Sequence, residues 1–124
     1  MDKYLYLMAG GVIGTLARYM VVGIAYQKIG TGFPYGTFLV NLIGCFCMGF
    51  FDVLVQKEIV LAPQLRLLLM AGFCGAFTTF SSFILDSYNL IKCGETLRAF
   101  ANVMGSVALG FIVFRLGIWL GELI

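Results

Sequence analysis

Four apolar stretches dominate this chain, and each is long enough to cross a lipid bilayer. They run from about Tyr4 to Tyr26, Gly36 to Val55, Gln64 to Ile91 and Leu97 to Leu120. A transmembrane helix needs about 20 mostly apolar residues. We therefore predict an all-α membrane protein with four transmembrane helices. The loops between the stretches are too short to fold alone, so residues 1–124 are predicted to form a single transmembrane domain.

The composition excludes most soluble classes of protein. Of the 124 residues, 61% are hydrophobic and 11% are charged, against about 45–50% and about 25% in average globular domains. The chain has no histidine, which leaves haem ligation, zinc binding and histidine base catalysis unsupported. A net charge of +2 is too small to indicate nucleic-acid binding. We expect a lipid bilayer around the chain, no enzymatic activity and no nucleic-acid partner.

The third stretch is predicted to be a broken helix. Its middle, from Gly75 to Phe83, reads GAFTTFSSF and places two Thr and two Ser at hydrocarbon depth. β-branched and hydroxyl side chains weaken a helical ladder. A break inside a membrane needs protein, water or an ion to pair with the freed carbonyl groups. The alternative is an intact helix in which the hydroxyls bond back to their own carbonyls.

The other stretches each carry one polar or small face at helical spacing. Glycines four residues apart usually let helix backbones touch, and this packing role is predicted for Gly10, Gly14, Gly117 and Gly121. A carboxamide at mid-membrane depth must find hydrogen-bond partners. Asn41 is therefore either a link between helices or a donor to an anion in transit. Without a mid-span carboxylate, the neutral donors, Arg18 and the phenylalanines suit an anion better than a cation.

The positive charges divide evenly between the two sides of the membrane. The nearer-face assignment puts four on the amino-terminal side and four on the other: Lys3, Lys57, Arg66 and Arg115 against Arg18, Lys28, Lys92 and Arg98. An excess of Lys and Arg normally fixes orientation, and without Arg18 the count is still four to three. We predict insertion in both orientations and an antiparallel, dual-topology dimer with a two-fold axis in the membrane plane.

With these residues in view, the chain resembles the Fluc (CrcB) family of small fluoride channels over essentially its whole length. Residues 10–19 (GGVIGTLARY) are close to the family's GGxxGAxxRY, with Thr15 where Ala is common. Residues 36–44 (GTFLVNLIG) match GTLxVNxxG. Residues 72–83 (GFCGAFTTFSSF) look like GxxGGxTTFSTF, with Ser82 in place of Thr. The three motifs together are specific, whereas any one alone would be weak.

The resemblance implies a passive, highly selective fluoride channel built as a dual-topology homodimer with two antiparallel pores. It would export cytoplasmic fluoride across a bacterial inner membrane and so protect against fluoride toxicity. A structural Na⁺ at the dimer centre would be held by main-chain carbonyls of Gly75 and Thr78. Arg18 and Gly14 of the first motif would have structural roles.

The resemblance also assigns the fluoride pathway. Phe80 and Phe83 would line the pores through their ring edges, and Asn41 would face the pore. The hydroxyl-lined path would comprise Ser82, Thr79, Thr37 and Ser106. The last helix carries Asn102 where some relatives have Tyr, which is a departure from the family's pattern.

Two other classes fit part of the sequence. A small multidrug-resistance-type exporter has similar length and balanced charges, but it centres on a membrane-embedded Glu in the first helix. Here no acidic residue lies between Tyr4 and Tyr26. A non-transporting assembly subunit would explain the glycine spacing but not the cluster of hydroxyl side chains in the third stretch.

Overall fold

The computed structural model describes residues 2–59 and 62–124, and within them all regular structure is helical. Helix α1 spans Asp2–Lys28 and α2 spans Tyr35–Gln56. The third crossing is made in two pieces: α3, which covers residues 63–77, and α4, Phe80–Lys92. Helix α5 spans Thr96–Leu123. The broken third helix predicted from the hydroxyl cluster fits this arrangement.

Helix α3 is not uniform. It begins with one α-helical turn, Pro63–Arg66, continues as a π-helix over Leu67–Cys74 and ends with Gly75–Phe77. Pro63 occupies the first turn, where its missing N–H costs no hydrogen bond. The wider π-helical segment is absent from the sequence-based expectations. π-Helical turns are rare and are frequent near functional sites, and this one ends directly before the break.

The helices of the described chain pack as two pairs, α1 with α3 and α2 with α5. Glycine makes the first close contact possible. A Cβ atom on Gly10 would overlap the carbonyl oxygen of Leu68, and one on Gly14 would overlap that of Phe73. The predicted packing role of both glycines is thereby confirmed, and the backbone of α3 is held directly against α1.

The α2–α5 seam is built in the same way, from glycines on both helices. Gly49 of α2 lies against the carbonyl of Phe114, and Gly117 of α5 lies against the carbonyl of Phe46. Gly121 packs on Val53 one turn further along. The predicted packing role of Gly117 and Gly121 is confirmed too.

Lysine closes one end of this seam. Lys57, directly after α2, donates from Nζ to the carbonyls of Gly121 and Glu122 at 3.1 and 2.9 Å. A cation at the carboxyl end of a helix satisfies free carbonyls and complements the helix dipole. The end of α2 is thereby tied to the end of α5.

The outer surface of the described chain is apolar. Four helical stretches are long and apolar enough to cross a membrane: Asp2–Lys28, Tyr35–Gln56, Pro63–Lys92 and Thr96–Leu123. Large apolar side chains such as Leu16, Ile84 and Phe111 are exposed along them. A soluble monomer rarely exposes such continuous apolar faces, so the chain is a multi-pass membrane protein.

Candidate functional site

The junction between α3 and α4 consists of Thr78 and Thr79, both in extended conformation. Their φ and ψ angles are −89° and 160°, and −150° and 118°. The Thr78 hydroxyl donates to the carbonyl of Cys74 at 2.9 Å, whereas the Thr79 hydroxyl accepts from the N–H of Ser82 at 3.2 Å. Thr78 thus closes the end of α3, and Thr79 is the N-cap of α4.

Asn41 of α2 braces this junction. Its Oδ1 accepts from the N–H of Thr79 at 2.8 Å, and its Nδ2 donates to the carbonyl of Thr79 at 3.2 Å. The carboxamide therefore replaces both hydrogen bonds that Thr79 would make within a helix. Its role as a link between helices is realised here. One of the two hydrogens on Nδ2 is left over, because Asn41 uses only one of them at Thr79.

Arg18 of α1 supports the junction from the other side. Its Nε donates to the carbonyl of Ala76 at 3.0 Å. That carbonyl lies in the last turn of α3, where the break removes the helical donor, and a guanidinium also complements the negative end of the helix dipole. Gly14, one turn earlier on α1, lets the two backbones approach at this level.

An open cavity of about 450 Å³ lies beside the junction. Its polar lining comes from Asn41, Thr78, Thr79 and Ser106, and its aromatic lining includes Phe80, Phe83 and Phe114. None of the described residues that line it carries a charge: the others are Gly44, Cys45, Met48, Cys74 and Val107. The Ser106 hydroxyl is buried and has no hydrogen-bond partner within the described chain. The site therefore offers neutral donors and ring surfaces.

The two phenylalanines of the cavity are neighbours with opposite exposure. Their ring centroids lie 5.9 Å apart with the ring planes at 50°. Phe80 is 74% exposed, whereas Phe83 is 8% exposed. Phe80 thus stands at the open side of the cavity, and Phe83 forms part of its wall.

The structure brings together five of the seven residues predicted for the fluoride pathway. Asn41, Thr79, Phe80, Phe83 and Ser106 line the one cavity. The other two lie outside its lining. Thr37 is buried in the first turns of α2, and Ser82 sits in the first turn of α4, where its N–H is capped. The place of all seven residues on a fluoride pathway stays a prediction.

The carbonyls predicted to hold Na⁺ differ from their neighbours in pairing. The carbonyl of Cys74 accepts from both the N–H and the hydroxyl of Thr78, and that of Ala76 accepts from Arg18. No hydrogen bond within the described residues goes to the carbonyls of Gly75 and Thr78. Across those same residues, no group of three His, Cys, Asp or Glu could hold a metal ion. Oxygen ligands for a hard cation would thus come from the main chain.

Sequence reasoning missed one polar pair next to the site, Ser87 of α4 and Asn102 of α5. Asn102 donates from Nδ2 to the Ser87 hydroxyl at 2.9 Å. Ser87 lies four residues after Phe83, hence on the same helix face, and that spacing is a signal that the sequence already contains.

The sequence as a whole matches a known protein family. The model of the family described as "CrcB-like protein, Camphor Resistance (CrcB)" matches residues 5–118. A protein of Maridesulfovibrio salexigens named "Fluoride-specific ion channel FluC" is 46% identical over 124 residues, 100% of this chain and 98% of that relative.

Relatives with the same curated name occur in other bacteria. The one from Chlorobium phaeobacteroides is 43% identical over 115 residues, 93% of this chain and 89% of the relative. The one from a Hydrogenobaculum species is 41% identical over 122 residues, 98% and 99% of the two chains. The match covers nearly the whole chain in each case, and the chain belongs to the CrcB-like family.

Proposed function

We propose that this protein is a passive, fluoride-selective channel rather than an enzyme, and that it releases cytoplasmic fluoride across the membrane. Its family membership and the curated name of its relatives support this function. The observation that carries it is the cavity at the α3–α4 junction, because hydrogen-bond donors and phenylalanine rings line it without a charged side chain.

The lining suits an anion that binds water strongly. Fluoride must exchange its hydration shell for hydrogen-bond donors, which the spare N–H of Asn41 and the hydroxyls of Thr79 and Ser106 supply. An aromatic ring is positive at its edge and negative at its face, so edge-on Phe80 and Phe83 would attract the ion. A fixed positive charge would hold the ion too tightly for conduction.

The rival functions each lack a part that they need. A proton-coupled exporter requires an embedded carboxylate, and the acidic residue of α1 is Asp2, in its first turn. An assembly subunit would need no cavity lined by donors.

Fluoride efflux from liposomes tests the function directly. Proteoliposomes loaded with fluoride should empty rapidly once an ionophore for K⁺ allows charge to balance, and chloride-loaded vesicles should not. Retention of both ions would overturn the channel. Uptake of an organic cation driven by a proton gradient would instead support the exporter.

We also infer that two copies form an antiparallel, dual-topology homodimer. One chain leaves the cavity open on the side of Phe80, whose ring is largely exposed. A second copy would supply the missing wall, and the four-to-four division of positive charge removes any preference for one orientation. Two copies would then enclose two antiparallel pores. The bacterial source of the relatives supports placement in the inner membrane.

Cys93 provides a native probe of orientation, because it is exposed in the turn between α4 and α5. With Cys45, Cys47 and Cys74 replaced by Ala, a membrane-impermeant thiol reagent should modify about half of the Cys93 side chains in intact cells. Permeabilised cells, the control, should give full modification. Modification of all or of none of the Cys93 side chains in intact cells would exclude dual topology.

We further propose that a structural Na⁺ sits at the centre of this dimer on carbonyls of Gly75 and Thr78. The support is that both carbonyls lack a donor within the described chain, and that Gly75 is exposed on the surface of a single copy. The ion would neutralise converging carbonyl dipoles in a region of low dielectric constant. The dimer should dissociate at lower denaturant concentration when K⁺ or choline replaces Na⁺. Equal stability of the dimer in Na⁺, K⁺ and choline solutions would contradict a bound Na⁺.

A further inference from the structure

Two buried polar side chains behind Phe83 are not part of the cavity lining. Ser87 is 6% exposed and Asn102 is 1% exposed. The Ser87 hydroxyl donates to the carbonyl of Phe83 at 2.9 Å, and Asn102 donates from Nδ2 to the Ser87 oxygen at 2.9 Å. The two bonds run in series from α5 to the helical turn that carries Phe83.

The chemistry of the donors fixes the direction of this series. A carbonyl can only accept, so the single hydrogen of the Ser87 hydroxyl is committed to Phe83. The Ser87 oxygen can then only accept from α5, and Asn102 must present its N–H₂ group rather than its oxygen. An apolar side chain at residue 102 could not make this link.

Stability alone does not explain a carboxamide at this place. The Oδ1 atom of Asn102 is buried and has no hydrogen-bond partner within the described residues. A buried acceptor without a donor lowers stability, whereas an apolar residue of similar shape would remove the unpaired atom. The Oδ1 atom of Asn102 therefore lowers the stability of the protein, whereas its Nδ2 atom holds Ser87.

Phe80 and Phe83 differ in their relation to this series of hydrogen bonds. Phe83 belongs to the turn held by Ser87, and its ring is part of the cavity wall. Phe80 lies one turn nearer the junction, with its ring 74% exposed. Because an aromatic ring attracts an anion with its edge and repels it with its face, a wall ring is useful only while its orientation is fixed.

We propose that Ser87 and Asn102 are positioning residues for fluoride passage: they lock the turn that carries Phe83 against α5 and so keep the edge of its ring toward the cavity. This inference rests on the proposed channel function, since it assigns the orientation of one wall of the same pathway. Neither side chain contacts the ion.

The test compares four single variants of the full-length protein, and the double variant of Asn102→Leu with Ser87→Ala, in proteoliposomes. Asn102→Leu removes the bond from α5 to Ser87, Ser87→Ala removes both bonds of the series, and Ser87→Thr keeps the hydroxyl. Asn89→Leu is the control, because it deletes a carboxamide from the exposed side of the same helix. Fluoride efflux is measured for each, together with the thermal stability of the purified dimer. A 4-fluorophenylalanine at residue 83 reports ring order through its ¹⁹F line width.

We expect Asn102→Leu and Ser87→Ala each to slow efflux about tenfold, the factor that matches one lost hydrogen bond. The double variant should be no slower than either, because both break one series. Ser87→Thr and Asn89→Leu should conduct at the parental rate. Asn102→Leu should be at least as stable as the parent, and its ¹⁹F line at residue 83 should broaden.

Parental efflux in both Asn102→Leu and Ser87→Ala would overturn the proposal, as would an unchanged ¹⁹F line. A loss of stability that parallels the loss of efflux would assign the pair to folding alone. If Asn102→Leu does not fold, Ser87→Ala decides, since it removes only one oxygen atom. A parent that passes no fluoride would refute the channel function, whereas the line-width comparison would still judge the positioning role.

Discussion

The α2–α5 seam is a close contact between two helices, whereas the α3–α4 junction is an interruption within one membrane crossing, and different interactions hold them in place. In the seam, Gly49 and Gly117 let carbonyls of the facing helix approach without any side chain between them. At the junction, Asn41 and Arg18 reach across from other helices to backbone groups that the break has freed. Close packing holds the seam along its length, with Lys57 tying one end, whereas hydrogen bonds from side chains hold the junction. The comparison teaches that where the helix is interrupted, side chains of other helices take over the hydrogen bonds that the backbone has lost.

The largest effect should come from a charge placed at the junction. Asn41→Asp puts an anion beside the path and loses the donor to the Thr79 carbonyl. Repulsion between unit charges about 4 Å apart amounts to about 4 kcal/mol at an effective dielectric constant of 20, so fluoride efflux should fall about a thousandfold. Asn89→Asp, at an exposed position of α4, is the control and should conduct normally. Efflux of Asn41→Asp within tenfold of the parent would remove Asn41 from the path.

The next largest fall in fluoride efflux is expected when the rings of Phe80 and Phe83 are removed. Phe80→Ile and Phe83→Ile roughly conserve apolar volume, which usually costs less than about 1.5 kcal/mol of stability, but they remove the positive ring edge. Fluoride efflux should fall about tenfold or more for each, while size-exclusion chromatography still gives one sharp species. Parental efflux in both would show that the rings only fill space and that the pore runs elsewhere.

Substitutions in the α2–α5 seam should change the stability of the protein and leave fluoride conduction unchanged, the opposite of what is expected for the ring substitutions. Gly117→Ala forces a methyl group onto the carbonyl of Phe46 and should lower the free energy of unfolding by about 1–3 kcal/mol. Gly105→Ala on the same helix meets only the ring of Phe38 at 3.6 Å, so it should be neutral. Efflux per folded dimer should be unchanged in both. Equal stability of the two variants would contradict close packing at Gly117.

The smallest effect is expected at the N-cap of α4. Thr79→Ala removes the acceptor for the N–H of Ser82 and should cost about 1 kcal/mol. Thr79→Ser keeps a hydroxyl and should unfold within a few tenths of a kcal/mol of the parent. If the free energies of unfolding of the Ala and Ser variants differ by less than a few tenths of a kcal/mol, the cap is not what holds the start of α4.

The sequence predicts the large features of this molecule because they depend on local composition. Apolar length indicates the four crossings, glycines four residues apart indicate the close contacts, and the threonine–serine cluster indicates the broken helix. The spans predicted from hydropathy start and end a few residues inside the helices, since helical turns continue past the apolar segment.

The details of the site depend on contacts between distant residues, and the sequence alone leaves them open. Asn41 has two possible roles until Thr79 is found opposite its carboxamide, 38 residues away. The link between Asn102 and Ser87 requires the particular rotation of α4 against α5. The π-helical segment before the break has no signal in composition, because its residues are ordinary apolar ones. The identity of the ion and the sodium site come from family resemblance, whereas the antiparallel dimer is also indicated by the even division of positive charge.

A pathway without a charged lining has an energetic consequence for the cell. Because the described lining has no charged side chain to carry a proton or a counter-ion, fluoride would cross alone, and each ion that leaves would move one negative charge outward. The inside-negative membrane potential drives that movement with about 2.3 kcal/mol per 100 mV. At equilibrium this corresponds to a roughly fiftyfold lower fluoride concentration inside than outside. The membrane potential would thus expel fluoride without hydrolysis of a nucleotide and without a coupled ion gradient.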